Sequence, residues 1–186
     1  MFKPEIRIIA WDDCSFRYRT KKVLLVGAIY RGGSFMDGLL STQITKDGLD
    51  ATKKIIEAVN KSRHYDQLSV IMLDGITFGG FNVVDVKHLA KQTKMPVIVI
   101  MRKKPDMKKF LDALKKFPGF ARRKMIVKRA GKIHEYKNIF YQKYGISGRD
   151  CEQILRITCI RSNIPEPIRV AHLIASGLSG ESRGRA

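Results

Sequence analysis

Two short runs constrain this chain more than anything else in it. LSVIMLD at 68–74 and MPVIVIMR at 95–102 are apolar without alternation. A strand that alternates polar and apolar residues has one wet face, whereas one that does not is covered on both. Between the two runs lies VVDVKHLAKQT (83–93), with its apolar residues at helical spacing. The order strand, helix, strand is a βαβ unit and implies a parallel pair. The chain must therefore build a sheet with helices on both faces and these strands near its middle.

The remaining segments fit around that centre. EIRIIAWDD (5–13) reads as a first strand, and 21–48 as two more, turning at Gly32-Gly33. DATKKIIEAVNKSRH (50–64) reads as a helix with Asp50 as its N-cap and Ala51, Ile55, Ile56 and Val59 on one face. MKKFLDALKKF (107–117) is a short, basic, amphipathic helix, and 122–144 reads as strands with polar loops. SGRDCEQILRITCIRSN (147–163) is a helix started by Ser147 or Asp150, with Cys151, Ile154, Leu155, Thr158 and Cys159 on its inner stripe. PEPIRVAHLIASGL (165–178) is another, with proline near its N-terminus. The expectation is a single α/β domain over 1–178: an antiparallel meander joined to the parallel βαβ unit in one mixed sheet flanked by helices. The Gly/Ser/Arg-rich tail, 179–186, is expected to be mobile. A length of 186 residues, 44% of them hydrophobic, is enough for such a core.

The charge narrows the partners. Lys plus Arg number 36 against 17 Asp plus Glu, a net +19. Residues 102–143 hold 15 of the basic residues and only 3 acidic ones. A field of this sign favours polyanions, nucleic acid first. Arg102, Lys103, Lys104, Arg122, Arg123, Lys124 and Lys128 are the candidate phosphate contacts. Phe117, Phe120, Tyr136 and Tyr141 either stack on bases or anchor this region to the core. No apolar run approaches the roughly 18 residues of a membrane span. Acidic residues interrupt the N-terminus before a signal-type stretch is complete. Cys14, Cys151 and Cys159 have no metal-type or disulfide spacing, which fits a reducing cytoplasm.

Carboxylates mark the candidate site. Ligands of parallel α/β sheets collect at the carboxyl ends of strands. VIMLDG places Asp74 at such an end, AWDDC places Asp12 and Asp13 at another, and ITKDGLD places Asp47 and Asp50 past a third. Convergence of Asp13, Asp47 and Asp74 would create like-charge repulsion that a hard cation relieves. Oxygen donors suit Mg²⁺ or Mn²⁺ rather than zinc. A hard cation beside a basic surface points to phosphodiester chemistry. Gly75, Gly79 and Gly80 read as room for a phosphate backbone to approach. Asp85 reads as a helix cap. His64, His88, His134 and His172 lack metal-type spacing and read as ordinary surface or core histidines.

Four stretches together resemble a family. IIAWDDCSF, ITKDGLDATKKII, VIMLDGITFGGFNVVD and IPEPIRVAHLIAS, spread over roughly residues 5–178, resemble the archaeal proteins proposed to be endonuclease dU, distant relatives of endonuclease V. The resemblance implies an RNase H-like fold and a Mg²⁺- or Mn²⁺-dependent endonuclease that cuts DNA near deaminated bases such as deoxyuridine. It implies Asp13 and Asp74 as metal ligands, with Asp13 preferred over Asp12 because Cys-Ser-Phe follows it. Asp47 takes the third acidic position, with Asp50 next. Two departures stand out: Gly145 is followed by Ile146 where endonuclease V has Gly-His, and its Pro-Tyr-Ile-Pro wedge is absent. The rival expectations are a nucleic-acid-binding protein without catalysis, on DNA or RNA, and a small-molecule or phosphate-binding α/β protein.

Overall fold

A computed structural model describes residues 2–180; most of the expected C-terminal tail, from 181 onward, lies outside them. The chain begins with β1 (Arg7–Asp13), β2 (Lys22–Arg31), β3 (Phe35–Thr45) and α1 (Ala51–Asn60). Next come β4 (Val70–Asp74), a two-stranded ribbon of β5 (Thr77–Phe78) and β6 (Asn82–Val83), α2 (Val86–Thr93) and β7 (Val97–Met101). The last third holds α3 (Met107–Leu114), α4 (Phe120–Arg129), β8 (His134–Tyr136), β9 (Ile139–Tyr144), α5 (Gly148–Thr158) and α6 (Glu166–Leu178).

The main sheet has seven strands in the order β3-β2-β1-β4-β7-β9-β8. β1, β4 and β7 run parallel at its centre, and the outer pairs are antiparallel. The expected βαβ unit is β4-α2-β7, and both of its strands are buried from their first residue to the penultimate one. The meander of β1, β2 and β3 turns at 32–34, as the glycine pair implied.

Side chains of the central strands alternate between two cores. Ile9, Trp11, Ile71, Leu73, Val97 and Val99 face α1 and α2. Ile8, Ala10, Val70, Met72, Ile98 and Ile100 face α5 and α6. All members of the second set are even-numbered, because the parallel register pairs Ala10 with Met72, and Met72 with Ile98. Every second residue of a strand shares a face, so the parity runs unbroken to the strand ends. Gly27 pairs with Trp11 across β1 and β2, and a Cβ there would come within 2.9 Å of the indole ring. Only a glycine leaves room for that fully buried side chain.

Two expectations about secondary structure change. Residues 120–129 form α4 rather than strand, and strands appear only from 134. The reason is Arg123, which occupies an inward position with 2% exposure. A cation on the buried side of a helix hides its apolar stripe. Asp50 does stand at the N-cap of α1, but its carboxylate does not cap. It accepts instead from Thr45 N, Thr45 Oγ1 and Asn82 Nδ2. Ser147 accepts from Asp150 N at the start of α5, and Asp85 from His88 N at the start of α2, as expected.

Candidate metal centre

Three carboxyl-end positions of the central strands carry charge on the α6 face. Continuing the register two residues past Ala10 and Met72 puts Asp12 level with Asp74. Arg102, two residues past Ile100, follows on β7's side and donates from Nη2 to Asp74 Oδ2 at 2.9 Å. α6 crosses this face, packing Ile168, Ala171 and Ala175 onto the sheet. The two alanines let the helix approach closely. His172 lies four residues after Ile168, on the same stripe, so it points at the strand ends. Its Nδ1 lies 2.7 Å from Asp12 Oδ2. Buried Glu166 accepts from Arg169 Nε and Nη2 at 2.8 and 2.5 Å and fixes the first turn of the helix.

One ligand atom from each of Asp12, Asp74 and His172 lies within 4.8 Å of the others, the one such trio among the described residues. The electrostatics are those of an undercompensated site. Burial pushes Asp74 up from 3.8 to about 6, with the Asp12 charge adding to it and Arg102 opposing. The hydrogen bond to Asp12 raises His172 above its ordinary value, against the cost of burial. The two carboxylates offer oxygen donors of the kind that suit Mg²⁺ or Mn²⁺, whereas the imidazole nitrogen is a donor more typical of zinc, iron, copper or nickel.

The other expected acids stand elsewhere. Asp13 has odd parity and points to the α1 face, where its Oδ2 accepts from Gly79 N at 2.6 Å. Burial raises it to about 6, the Gly79 bond lowers it and Asp12 raises it. Asp47, at φ 53°, accepts from Phe81 N at 2.9 Å. Asp50 is raised by burial, but its bonds from Thr45 and Asn82 outweigh this and lower it. Asp13, Asp47 and Asp50 thus hold the 79–82 segment, and the three do not join Asp74 in one cation-sized group.

The glycines divide in the same way. A Cβ on Gly75 would meet nothing within 4 Å, whereas one on Gly79 would press on Ile44 and Val23. On Gly80, at φ 88°, it would fall on the Asp47 carboxylate. Only Gly75 leaves open space; the other two are filled by the chain itself.

Of the candidate phosphate contacts, Lys103, Lys104, Arg122 and Lys128 are exposed, Lys124 half-exposed, and Arg102 paired with Asp74. Arg123 is not at the surface. Its guanidinium donates to the carbonyls of Pro118, Gly48, Phe81 and Asp47. Burial lowers its pKa, against the pull of Asp47. The aromatics of this region anchor it: Phe117 lies 4.6 Å from Phe81 between ring centroids, and Tyr141 is buried beside His134.

In sequence, His172 stands apart from the acids it meets in the fold. Its signal was present as a histidine on the inner stripe of an apolar helix, but the strand ends it faces are far away in sequence.

Sheet order, mixed strand directions and flanking helices give this chain an RNase H-like fold. A crystal structure of an Archaeoglobus fulgidus protein of unknown function superposes with a TM-score of 0.88 at 41% identity, covering 94% of this chain and 98% of that one. Ciona intestinalis endonuclease V, solved with a 24-mer DNA containing an inosine followed by a ribo-adenosine, superposes with a TM-score of 0.56. It is 14% identical, with 89% and 82% of the two chains covered, and shows the shared fold. A UPF0215 protein of Methanosarcina barkeri is 53% identical over 189 residues, 99% of this chain and 96% of its own. The family model described as Endonuclease dU matches residues 4–179, and the chain belongs to that family. No helix among the described residues is long and apolar enough to cross a membrane.

Proposed function

We propose that this protein is a divalent-metal-dependent nuclease that cuts DNA phosphodiesters, with Asp12 and Asp74 holding the cation beside His172. The observation that carries the reading is the meeting of these three side chains at the carboxyl ends of parallel strands, in a chain of net charge +19. Asp12 and Asp74 supply the negative charge, and Asp74 is kept from full solvation by burial. Arg102 orients Asp74 through Oδ2. Asp12 orients the His172 imidazole through Nδ1 and favours its protonated form until a cation competes. When bound, such a cation supplies polarisation of a phosphoryl oxygen and activation of a water. Exposed Lys103, Lys104, Arg122 and Lys128 neutralise the backbone, so affinity falls steeply with salt. Asp13, Asp47 and Asp50 hold the 79–82 segment rather than the cation. The preference for deaminated bases such as deoxyuridine rests on the family's description.

The test uses labelled single-stranded and duplex DNA carrying uracil, hypoxanthine or no lesion, with Mg²⁺, Mn²⁺ or EDTA. Cleavage is expected with either cation. It should be lost in EDTA and in both Asp12→Asn and Asp74→Asn, while Asp13→Asn, which keeps an acceptor for Gly79 N, retains it. Cleavage that survives EDTA and both substitutions would overturn the metal mechanism. Salt-sensitive binding without any cleavage would identify a nucleic-acid-binding protein instead.

A further inference from the structure

The segment between β1 and β2 is the most exposed aromatic surface of the described chain. Tyr18 is 93% exposed and Phe16 37%. Lys46 places its ammonium 5.5 Å from the Phe16 ring centroid and 5.1 Å from that of Tyr18. The same ammonium donates to Tyr18 O at 2.7 Å. Arg17, Arg19, Lys21 and Lys22 are exposed around the rings, and no acidic residue occurs between Asp13 and Asp37.

This loop is built, not merely exposed. Thr20 Oγ1 accepts from Arg17 N and Thr20 N donates to Arg17 O, closing a turn. Cys14 N donates to Leu24 O, Lys46 N to Lys21 O, and Lys22 Nζ to Thr45 Oγ1. Ser179 Oγ ties the start of the loop, at Ser15 O, to the end of α6. The fold gains almost nothing by hydrophobic burial from a tyrosine so exposed, and an exposed cation–π contact is worth only about 0.5–1 kcal/mol. An aromatic ring held open among cations matches what an unpaired nucleic-acid base and its phosphates require.

The position fits the proposed chemistry. Tyr18 is six residues from Asp12, so the two Cα atoms are at most roughly 20 Å apart. At about 3.4 Å per stacked nucleotide, that span is about six nucleotides. We infer that Tyr18, Phe16 and Lys46 form a stacking platform that binds unpaired bases of the strand whose backbone enters the Asp12–Asp74 site. This rests on the nuclease reading for its partner class, but it concerns binding and not cleavage.

The experiment measures binding in EDTA, where no cleavage interferes. The probes are a fluorescein-labelled 12-nucleotide single strand, its duplex, and a single strand carrying 2-aminopurine. Tyr18→Ala should weaken single-strand affinity about 5- to 100-fold, the range expected for loss of one stacked base, and abolish the 2-aminopurine change. Tyr18→Trp should restore both, duplex affinity should fall less than threefold, and the melting temperature should stay unchanged. If wild type binds and Tyr18→Ala binds equally well, the platform is wrong while the nuclease reading stands. If wild type binds neither DNA form at 50–100 mM salt, both fall.

Discussion

Asp74→Asn is expected to remove activity and strengthen the metal-free fold at the same time. The carboxyl is held at about 6 in the folded chain against 3.8 ordinarily, chiefly by burial and then by Asp12. A folded value above the unfolded one means that the native state keeps a proton that the unfolded state has released. Stability from this group is therefore complete below pH 3.8 and is lost as pH rises through about 6. At pH 7 the ionised carboxylate costs the empty fold about 3 kcal/mol. The amide cannot ionise, so the variant escapes that cost. The charge pair with Arg102 is already contained in that figure, since Arg102 holds the carboxyl below where burial alone would put it. The net gain is therefore about 3 kcal/mol at pH 7 and near zero at pH 4. For a domain of this size that is roughly 6–12 °C in melting temperature. Thermal melts in EDTA at the two pH values measure it. Added Mg²⁺ should raise the wild-type melting temperature by mass action and leave the variant unmoved. A variant that melts below wild type at pH 7 in EDTA, or one with the same difference at both pH values, would refute the reasoning.

Three further outcomes follow from other parts of the fold. Arg123→Ala should cost about 3–5 kcal/mol in urea unfolding, because four backbone carbonyls lose one buried donor together. Gly27→Ala should cost about 1–3 kcal/mol by driving a methyl into the Trp11 ring, with a matching change in tryptophan fluorescence. The His172 imidazole, followed by NMR, should titrate above its ordinary value of 6.5 and shift downward on adding Mg²⁺ or in Asp12→Asn. The stability it draws from Asp12 is present below its ordinary value and lost as pH rises through the raised one, so wild type and His172→Gln should converge at alkaline pH.

Much of the architecture was legible because it is written locally. The unbroken apolar runs of β4 and β7, the glycine turn of the meander and the capping serine of α5 each need only neighbours in sequence. The placement of the acids was legible in part. Asp74 does end a buried strand, and one member of the neighbouring doublet lies beside it. Which member of the doublet shares its face depends on the register between β1 and β4. That register joins segments some sixty residues apart in sequence (Ala10 with Met72). The family-like Cys-Ser-Phe favoured Asp13; the pleat favours Asp12. His172 was hidden for the same reason, since a helical stripe says that a residue points inward but not what it meets there. α4 was hidden differently: a buried arginine looks like a surface residue until the carbonyls it satisfies are known.

The Asp12–Asp13 doublet has one more consequence. Gly79 N donates to Asp13 Oδ2, Asp13 N to Asp12 Oδ1, and Asp12 Oδ2 bonds His172 Nδ1. These three links form a continuous relay from the glycine turn on one side of the sheet, through the end of β1, to the helix on the other. Neither flank can shift without pulling on the other. A displacement of the turn at 79–82 would thus be felt at His172, and β1 would serve as the lever that carries the message.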